Sequence, residues 1–206
     1  MQLEFGYGKG VETVEVPERN LLKVLKSNDM VHERRGSAAV EYALDNPMGL
    51  GKLEDCVSPE KTVAIVTSDI SRPMPSADVL PSVLERLYRA GVKKENITVV
   101  LALGVHRNHT DEEKKRLVGE KAWSEVRIVD SNESGYVHLG TTAGGTPVDV
   151  CRDVVEADYR ICLGNIEFHY FAGYSGGYKA IMPGCSTADA IQMNHRNMVS
   201  EQARAG

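Results

Sequence analysis

Four short apolar runs, separated by helical and polar patterns, organise this chain. They span residues 61–67, 97–103, 126–129 and 159–163. The apolar residues in them are continuous rather than alternating, which is typical of strands buried on both faces of a sheet. Because amphipathic helical patterns alternate with these strands, the sequence predicts an α/β fold, a Rossmann-like parallel or mixed sheet flanked by helices.

Two helices are predicted between the first residues and the second strand. A short helix over residues 37–44 is stopped by Asn46-Pro47. A longer helix begins near Ser76, where apolar side chains recur along one stripe. Pro81 is expected to disturb its first turns because proline lacks a backbone N–H, and Gly91 is its expected C-terminal cap.

Two further helices are predicted from capping boxes, in which a hydroxyl residue is followed three positions later by an acidic residue. The first box begins at Thr110 and opens a helix that continues through Val118. The second begins at Ser186 and opens a helix that carries His195.

Two antiparallel hairpins are expected in addition to the main sheet. Residues 2–16 alternate apolar and polar side chains around a turn at residues 8–10, and residues 136–151 turn at Gly144-Gly145. Residues 20–36 are mixed and charged, and no element is assigned to them.

Composition narrows the class of protein. The net charge of −5 argues against a nucleic-acid or anionic-membrane partner. No apolar run reaches the roughly 18 residues that spanning a bilayer requires, and the N-terminus lacks the pattern of a signal peptide. The four cysteines show no C-x-x-C spacing, so we expect reduced thiols in a cytoplasmic protein.

Polar residues gather where three of the predicted strands end. Asp69 and Arg72 follow the first strand, His106 follows the second, and Glu167 and His169 follow the fourth. In open α/β sheets, ligands bind at the carboxyl ends of the strands. The sequence therefore predicts one site built from three strand ends.

A glycine-rich loop with one lysine continues from the last of these strands. Four of the twelve residues 173–184 are glycine, and Lys179 lies among them. Glycines let backbone N–H groups converge on an anion, and a desolvated lysine in such a loop becomes nucleophilic. The spacing matches neither a Walker loop nor a G-x-G-x-x-G fingerprint.

This set of residue types suits an anionic substrate that loses and regains a proton. Arg72 can hold a carboxylate by a two-pronged hydrogen bond, and a racemase needs an acid or base on each face of its stereocentre. On sequence alone Arg72 is equally consistent with a surface cation, and His106 with an ordinary loop histidine. His109, beside the capping Thr110, is assigned a structural role.

Several motifs together resemble the lactate racemase family. Their order and spacing are kept over nearly the whole chain. They are Ser-Asp-Ile-Ser-Arg-Pro-Met-Pro at residues 68–75, Leu-Gly-Val-His-Arg at 103–107, Gly-Asn-Ile-Glu-Phe-His-Tyr-Phe-Ala-Gly-Tyr-Ser-Gly-Gly-Tyr-Lys at 164–179, Met-Pro-Gly at 182–184 and Asn-His at 194–195.

The resemblance implies racemisation or epimerisation of a 2-hydroxy acid, by hydride abstraction and return at C2. It also implies a nickel-pincer nucleotide as cofactor, made by dedicated maturation enzymes. His106 and His169 would be the two catalytic bases, and Arg72 would bind the substrate carboxylate. The implied cofactor residues are Lys179 as the covalent attachment point, His195 as a nickel ligand, Asp69, and the neighbouring Ser175, Gly176 and Gly177.

The family's chains are longer than this one, with a second, C-terminal domain that contributes substrate contacts. Residues 1–206 are therefore expected to form the N-terminal, cofactor-binding and catalytic domain, and to be incomplete for turnover without the other half.

Two alternatives remain open at this point. His106, His169 and His195 could instead bind the zinc ion of a hydrolase. The glycine-rich loop could instead belong to a non-catalytic module that binds a nucleotide phosphate, without a covalent bond to Lys179.

Overall fold

The computed structural model describes residues 1–26, 28, 31–169, 171–201 and 203, which fall into two compact units. The first unit, residues 1–33, contains an antiparallel hairpin of β1 (Gln2–Tyr7) and β2 (Gly10–Glu15). Gly8 makes its turn at a φ of 60°, so the predicted N-terminal hairpin is confirmed. Part of the unassigned segment 20–36, at positions 27, 29 and 30, lies outside the described residues.

The second unit, residues 34–206, carries the main sheet and its helices. Its strands are β3 (Val63–Ser68), β4 (Ile97–Ala102), β5 (Arg127–Asp130), β6 (Tyr136–Thr141), β7 (Pro147–Cys151), β8 (Tyr159–Cys162), β9 (Phe168–His169) and β10 (Gly173–Tyr174). Its helices are α1 (Ser37–Asp45), α2 (Leu53–Cys56), α3 (Ser76–Arg89), α4 (Asp111–Glu125), α5 (Arg152–Glu156) and α6 (Ala188–Arg196).

The four predicted apolar strands form one parallel sheet in the order β5–β4–β3–β8. All four carboxyl ends therefore lie at the same edge. The predicted α/β fold is confirmed, as is the hairpin of β6 and β7, in which Gly145 adopts a φ of 82°.

The sheet is covered on both faces, which explains why its strands are continuously apolar. One face packs against α3 and α4, and the other packs against β7, α5 and the segment around Cys185. The fully buried side chains of the first face include Ile65, Leu80, Leu84, Val99, Leu101 and Val118. Those of the second include Val66, Val100, Cys151, Val154 and Cys185.

Helix α3 differs from the expectation at its proline. Pro81 lies inside the helix without interrupting it. Because proline has no N–H, the carbonyl of Ala77 lacks its usual partner within the helix. The predicted end is confirmed, because Gly91 adopts a φ of 83°. The N–H of Val92 then bonds to the carbonyl of Leu87 at 3.0 Å, closing the helix with a Schellman motif.

Helix α4 opens with the predicted capping box and runs beyond its predicted end. Thr110 and Glu113 exchange side chain to backbone bonds of 3.2 and 2.9 Å. Gly119 breaks the helical conformation with a φ of 80°, and the helix then resumes to Glu125. A Cβ atom on Gly119 would lie 3.2 Å from the Cβ of Ala77, so a glycine allows α3 and α4 to approach closely here.

Helix α6 carries His195 as predicted, but its cap lies one residue later than expected. The side chain of Thr187 accepts the N–H of Ala190 at 3.2 Å, whereas the Ser186 hydroxyl donates to the carbonyl of Ile181 at 3.0 Å. Ser186 is buried against the preceding loop, and tertiary contact therefore overrides the local capping pattern.

None of the helices in the described residues combines the length and the apolar character that crossing a bilayer requires.

Candidate active site

A cavity of about 830 Å³ opens at the carboxyl ends of β3, β4 and β8. Its size suits a small-molecule ligand. It brings together every predicted site residue except Gly177. The predicted residues that line it are Asp69, Arg72, His106, His169, Ser175, Gly176, Lys179 and His195.

His106 is held at this cavity by a buried carboxylate. Its Nδ1 lies 2.5 Å from Oδ2 of Asp69, whose side chain is 5% exposed, while the imidazole itself is 46% exposed. A carboxylate at Nδ1 fixes the proton on that nitrogen and leaves Nε2 to exchange protons with a ligand. The resemblance assigned Asp69 to the cofactor, and the structure places its carboxylate against His106.

Ser71 is a site residue that the sequence reasoning missed. Its hydroxyl donates to Oδ1 of Asp69 at 2.8 Å, so both oxygens of that carboxylate are engaged. The signal was available in the Ser-Asp-Ile-Ser segment, where a hydroxyl residue two positions after an aspartate can close a local turn.

His169 is held by backbone N–H groups. Its Nδ1 accepts the N–H groups of Phe171 and Ala172 at 3.3 and 3.2 Å. Burial lowers the pKa of His169 below its ordinary value, and the positive charges of Lys179 and Arg72 lower it further. The imidazole is therefore favoured in its neutral form, and because its Nδ1 accepts two N–H groups, its single ring proton lies on Nε2.

Lys179 lies in a short 3₁₀ helix that follows the glycine turn. Burial lowers the pKa of its ammonium, and the nearby Arg72 guanidinium lowers it further, against a smaller opposite effect of Glu167. A lysine in these surroundings carries a larger neutral, nucleophilic fraction than an exposed one.

The loop before Lys179 is shaped by close backbone contacts. The Ser175 hydroxyl donates to the carbonyl of Asn165 at 2.8 Å and accepts the N–H of Glu167 at 3.0 Å, so it ties the ends of the β9–β10 hairpin together. Gly176 has a φ of 85°, and a Cβ atom there would meet Ile166 at 3.0 Å. Ser175 and Gly176 thus shape the cavity wall.

Gly184 joins this loop to the tip of β4. Its carbonyl accepts the N–H of Gly104 at 2.8 Å. A Cβ atom on Gly184 would collide with the carbonyl oxygen of Ala180 and lie 2.8 Å from the Cβ of Ala102. Only glycine fits here, and the hydrogen bond between Gly104 and Gly184 connects the end of β4 to the loop that carries Lys179.

His195 reaches the cavity from the last turn of α6, where its ring is exposed and lies 6.2 Å from that of Phe171. Among the described residues, no three His, Cys, Asp or Glu side chains come close enough together to hold a metal ion. The geometry of these residues therefore does not supply the three-histidine set of the zinc alternative. A metal whose other ligands come from a cofactor needs only one protein imidazole.

Comparisons with known proteins give one consistent result. A model of the lactate racemase N-terminal domain matches residues 7–206. The chain is 34% identical over 198 residues to a lactate racemase of Thermoanaerobacterium thermosaccharolyticum, covering 94% of this chain and 46% of that protein. It is 33% identical over 211 residues to a lactate racemase of Lactiplantibacillus plantarum, covering 99% of this chain and 50% of that protein.

Solved structures agree. The structure of the lactate racemase apoprotein from T. thermosaccharolyticum superimposes with a TM-score of 0.83 at 31% identity, covering 99% of this chain and 49% of the other. A protein from Thermotoga maritima shares the fold, with a TM-score of 0.64 at 22% identity, 79% of this chain and 41% of the other. The chain spans about half the length of the curated relatives it matches. Since the family model matches all but the first six residues, the chain belongs to the lactate racemase N-terminal domain family.

Proposed function

We propose that this chain is the cofactor-holding half of an isomerase that racemises or epimerises a small 2-hydroxy acid. The observation that carries the proposal is that two imidazoles, His106 and His169, meet at one cavity with the Arg72 guanidinium. The relatives that match the chain are named lactate racemases, which supports the same reaction class.

The chain's own residues then have distinct tasks. Arg72 binds the substrate carboxylate, because a guanidinium can form two parallel hydrogen bonds with it. One of His106 and His169 takes the proton from the 2-hydroxyl group, and the other returns a proton to the oxygen when the opposite enantiomer forms. His106, whose ring proton is held on Nδ1 by Asp69, has Nε2 free to accept this proton first.

The residues present fit a nickel-pincer nucleotide. Lys179 offers a half-buried amine with a lowered pKa for a covalent link, and His195 offers an exposed imidazole, a ligand type that suits nickel. When bound, this group supplies the acceptor for the hydride that leaves C2 of the substrate. Gly176, which lines the cavity at a positive φ, lets the loop backbone approach it.

Intact mass spectrometry tests the assignment directly. The chain is produced together with the cofactor maturation enzymes, and its mass is expected to exceed that of the unmodified polypeptide. Lys179→Ala should abolish the increase, whereas Lys61→Ala, which removes an exposed lysine paired with Asp158, should keep it.

An increase that survives in Lys179→Ala would contradict the proposed attachment point. Tight binding of a simple nucleotide without any mass increase would favour the phosphate-binding module instead.

We further propose that the remaining half of the longer relatives completes the site. The hairpin and loop beside the cavity expose large apolar side chains, a feature typical of a surface that another domain covers. They are Ile166, Phe168, Tyr174 and Tyr178, each more than half exposed. Chiral chromatography of lactate should show little turnover by residues 1–206 alone and a gain in rate when the other half is added. No gain on addition would contradict this.

A further inference from the structure

We propose that His109, together with Asp130, is a positioning residue that sets the loop bearing Asp69. It acts through one hydrogen bond to the backbone N–H of Ile70. The kinetic consequence of this inference rests on the proposed racemase function, whereas its structural consequence rests on geometry alone.

His109 and Asp130 form a buried pair with unusually complete contacts. The side chains are 1% and 0% exposed. One carboxylate oxygen of Asp130 lies 2.6 Å from the ring Nδ1 of His109, and the other accepts the backbone N–H of the same residue at 2.9 Å. Asp130 therefore fixes the position of the ring and places its proton on Nδ1.

The other ring nitrogen is aimed at the loop that follows β3 and carries Asp69. Nε2 of His109 accepts the N–H of Ile70 at 3.1 Å. An acceptor nitrogen must carry a lone pair, so the hydrogen bonds define one neutral tautomer. Ile70 lies between Asp69, which holds His106, and Ser71, which bonds to Asp69. A buried imidazole thus orients the exposed one through a single peptide group.

Asp130 has two further partners in the same cluster, Lys114 and Glu133. Nζ of Lys114 lies 3.8 Å from Oδ2 of Asp130 and pairs closely with Glu133. Glu133 in turn accepts the backbone N–H of Asp130 at 3.0 Å. These contacts connect Asp130, and through it the His109 ring, to α4 and to the segment that follows β5.

A purely structural role does not require an imidazole at this position. Replacing both partners of a buried hydrogen bond by apolar groups of the same shape is often nearly neutral for stability. What such a replacement cannot supply is an acceptor aimed at Ile70. Without it, the N–H of Ile70 loses its hydrogen-bond partner. Ile70 lies in the turn that the bond from the Arg72 N–H to the Asp69 carbonyl closes, so this turn is less firmly held.

Two substitutions separate the roles of the two ring nitrogens of His109. In His109→Asn the amide can still donate to Asp130 but does not reach Ile70, while in His109→Gln the amide oxygen takes the place of Nε2. Asp158→Ala is the control for general destabilisation. Asp158 bonds to Thr62 at the opposite end of the sheet, away from the cavity.

The principal readout is the ring tautomer of His106, measured by ¹⁵N NMR on the 206-residue chain. We expect His106 to hold its proton on Nδ1 in the native chain and in Asp158→Ala, to populate both tautomers in His109→Asn, and to return toward one tautomer in His109→Gln. An unchanged His106 signal in a folded His109→Asn would overturn the proposal.

A measurement without substitution covers the case in which the variants do not fold. The hydrogen bond from Ile70 to His109 should give a ¹⁵N–¹⁵N scalar coupling between the amide nitrogen and Nε2. A His109 whose proton is found on Nε2 would overturn the proposal as well.

In the cofactor-loaded chain supplied with the other half, His109→Asn should lower kcat by about 10- to 100-fold, the range typical when an orienting partner of a functional histidine is lost. His109→Gln should recover most of this loss. If the native enzyme shows no racemisation while the tautomer of His106 still responds as expected, the proposed function fails and the positioning role stands.

Discussion

The two histidines that meet at the cavity are held by opposite kinds of partner. His106 rests on the buried carboxylate of Asp69, whereas His169 accepts two backbone N–H groups and lies near the cations Lys179 and Arg72. The first arrangement is built into the tips of the sheet strands. The second is built from the loop that follows β8.

The difference gives the two imidazoles different electrostatic tasks. A carboxylate behind His106 stabilises the positive charge that forms when the ring takes a proton. Neighbouring cations and burial favour the neutral form of His169. In the proposed racemisation the two rings also start unequal, because Nε2 of His106 is free of a proton whereas His169, whose Nδ1 accepts hydrogen bonds, carries its ring proton on Nε2.

Removing either imidazole is the largest change and tests whether both are needed. In the cofactor-loaded chain supplied with the other half, His106→Gln and His169→Gln should each lower the racemisation rate by at least about 100-fold, the scale of acid–base catalysis. The control is His138→Gln, at an exposed histidine on β6 that does not line the cavity. Chiral chromatography of the product measures all three. A near-native rate in either site variant would remove the two-base arrangement.

A substitution of Asp69 should affect His106 and leave His169 unchanged. Asp69→Asn keeps the shape of the side chain but removes the charge that holds the His106 tautomer. We expect a loss of about 10- to 100-fold in kcat, as for other orienting partners. The matched control is Glu167→Gln at the same cavity, since Glu167 contributes only a minor opposing effect on His169 and Lys179. Equal losses in both variants would mean that charge, not orientation, is what matters.

The close contact of Gly184 with the end of β4 can be tested by measuring the free energy of unfolding. Gly184→Ala places a methyl group against the Ala180 carbonyl and Ala102, and should lower the free energy of unfolding by about 1–3 kcal/mol, as overpacking usually does. Gly144→Ala is the control, because its new Cβ would lie 3.9 Å from the nearest atom at an ordinary φ. Urea unfolding measures both, and equal midpoints would show that the loop yields easily at Gly184.

The residues at the ends of β3 and β4 were easier to predict from sequence than the loop that follows β8. Continuous apolar runs required a sheet covered on both faces, and parallel strands bring their carboxyl ends to one edge. Asp69, Arg72 and His106 therefore had to lie near each other. The partnership of Asp69 with His106, however, depends on side-chain directions that strand endings do not specify.

On the loop side, strand endings and glycine spacing predicted that His169 and the loop bearing Lys179 belong to the site, whereas Ser175, Gly177 and His195 were assigned only through family resemblance. Nothing in the periodicity indicates that the Ser175 hydroxyl is used to close a hairpin, or that Gly177 stays out of the cavity wall. The shifted cap of α6 has the same origin, because burial of Ser186 in a long-range contact decides which hydroxyl caps the helix. Long-range packing of this kind leaves no local pattern.

The smallest expected effect is a change of pKa on the loop side. Arg72→Gln removes a positive charge that lowers the pKa of both His169 and Lys179, so both values should rise. NMR titration of His169 measures the change, and Arg107→Gln is the control because that arginine pairs with Glu113.

The lowered pKa of His169 also determines how the free energy of unfolding changes with pH. A histidine whose folded pKa lies below 6.5 binds fewer protons folded than unfolded, so the stabilising effect of its neutral form is present above pH 6.5. That effect is lost as the pH falls from 6.5 toward the folded pKa. Arg72→Gln brings the two values closer and should shrink the decline in stability over this range. An unaltered decline, with an unaltered His169 titration, would show that burial alone keeps this imidazole neutral and that the cations contribute nothing to the contrast with His106.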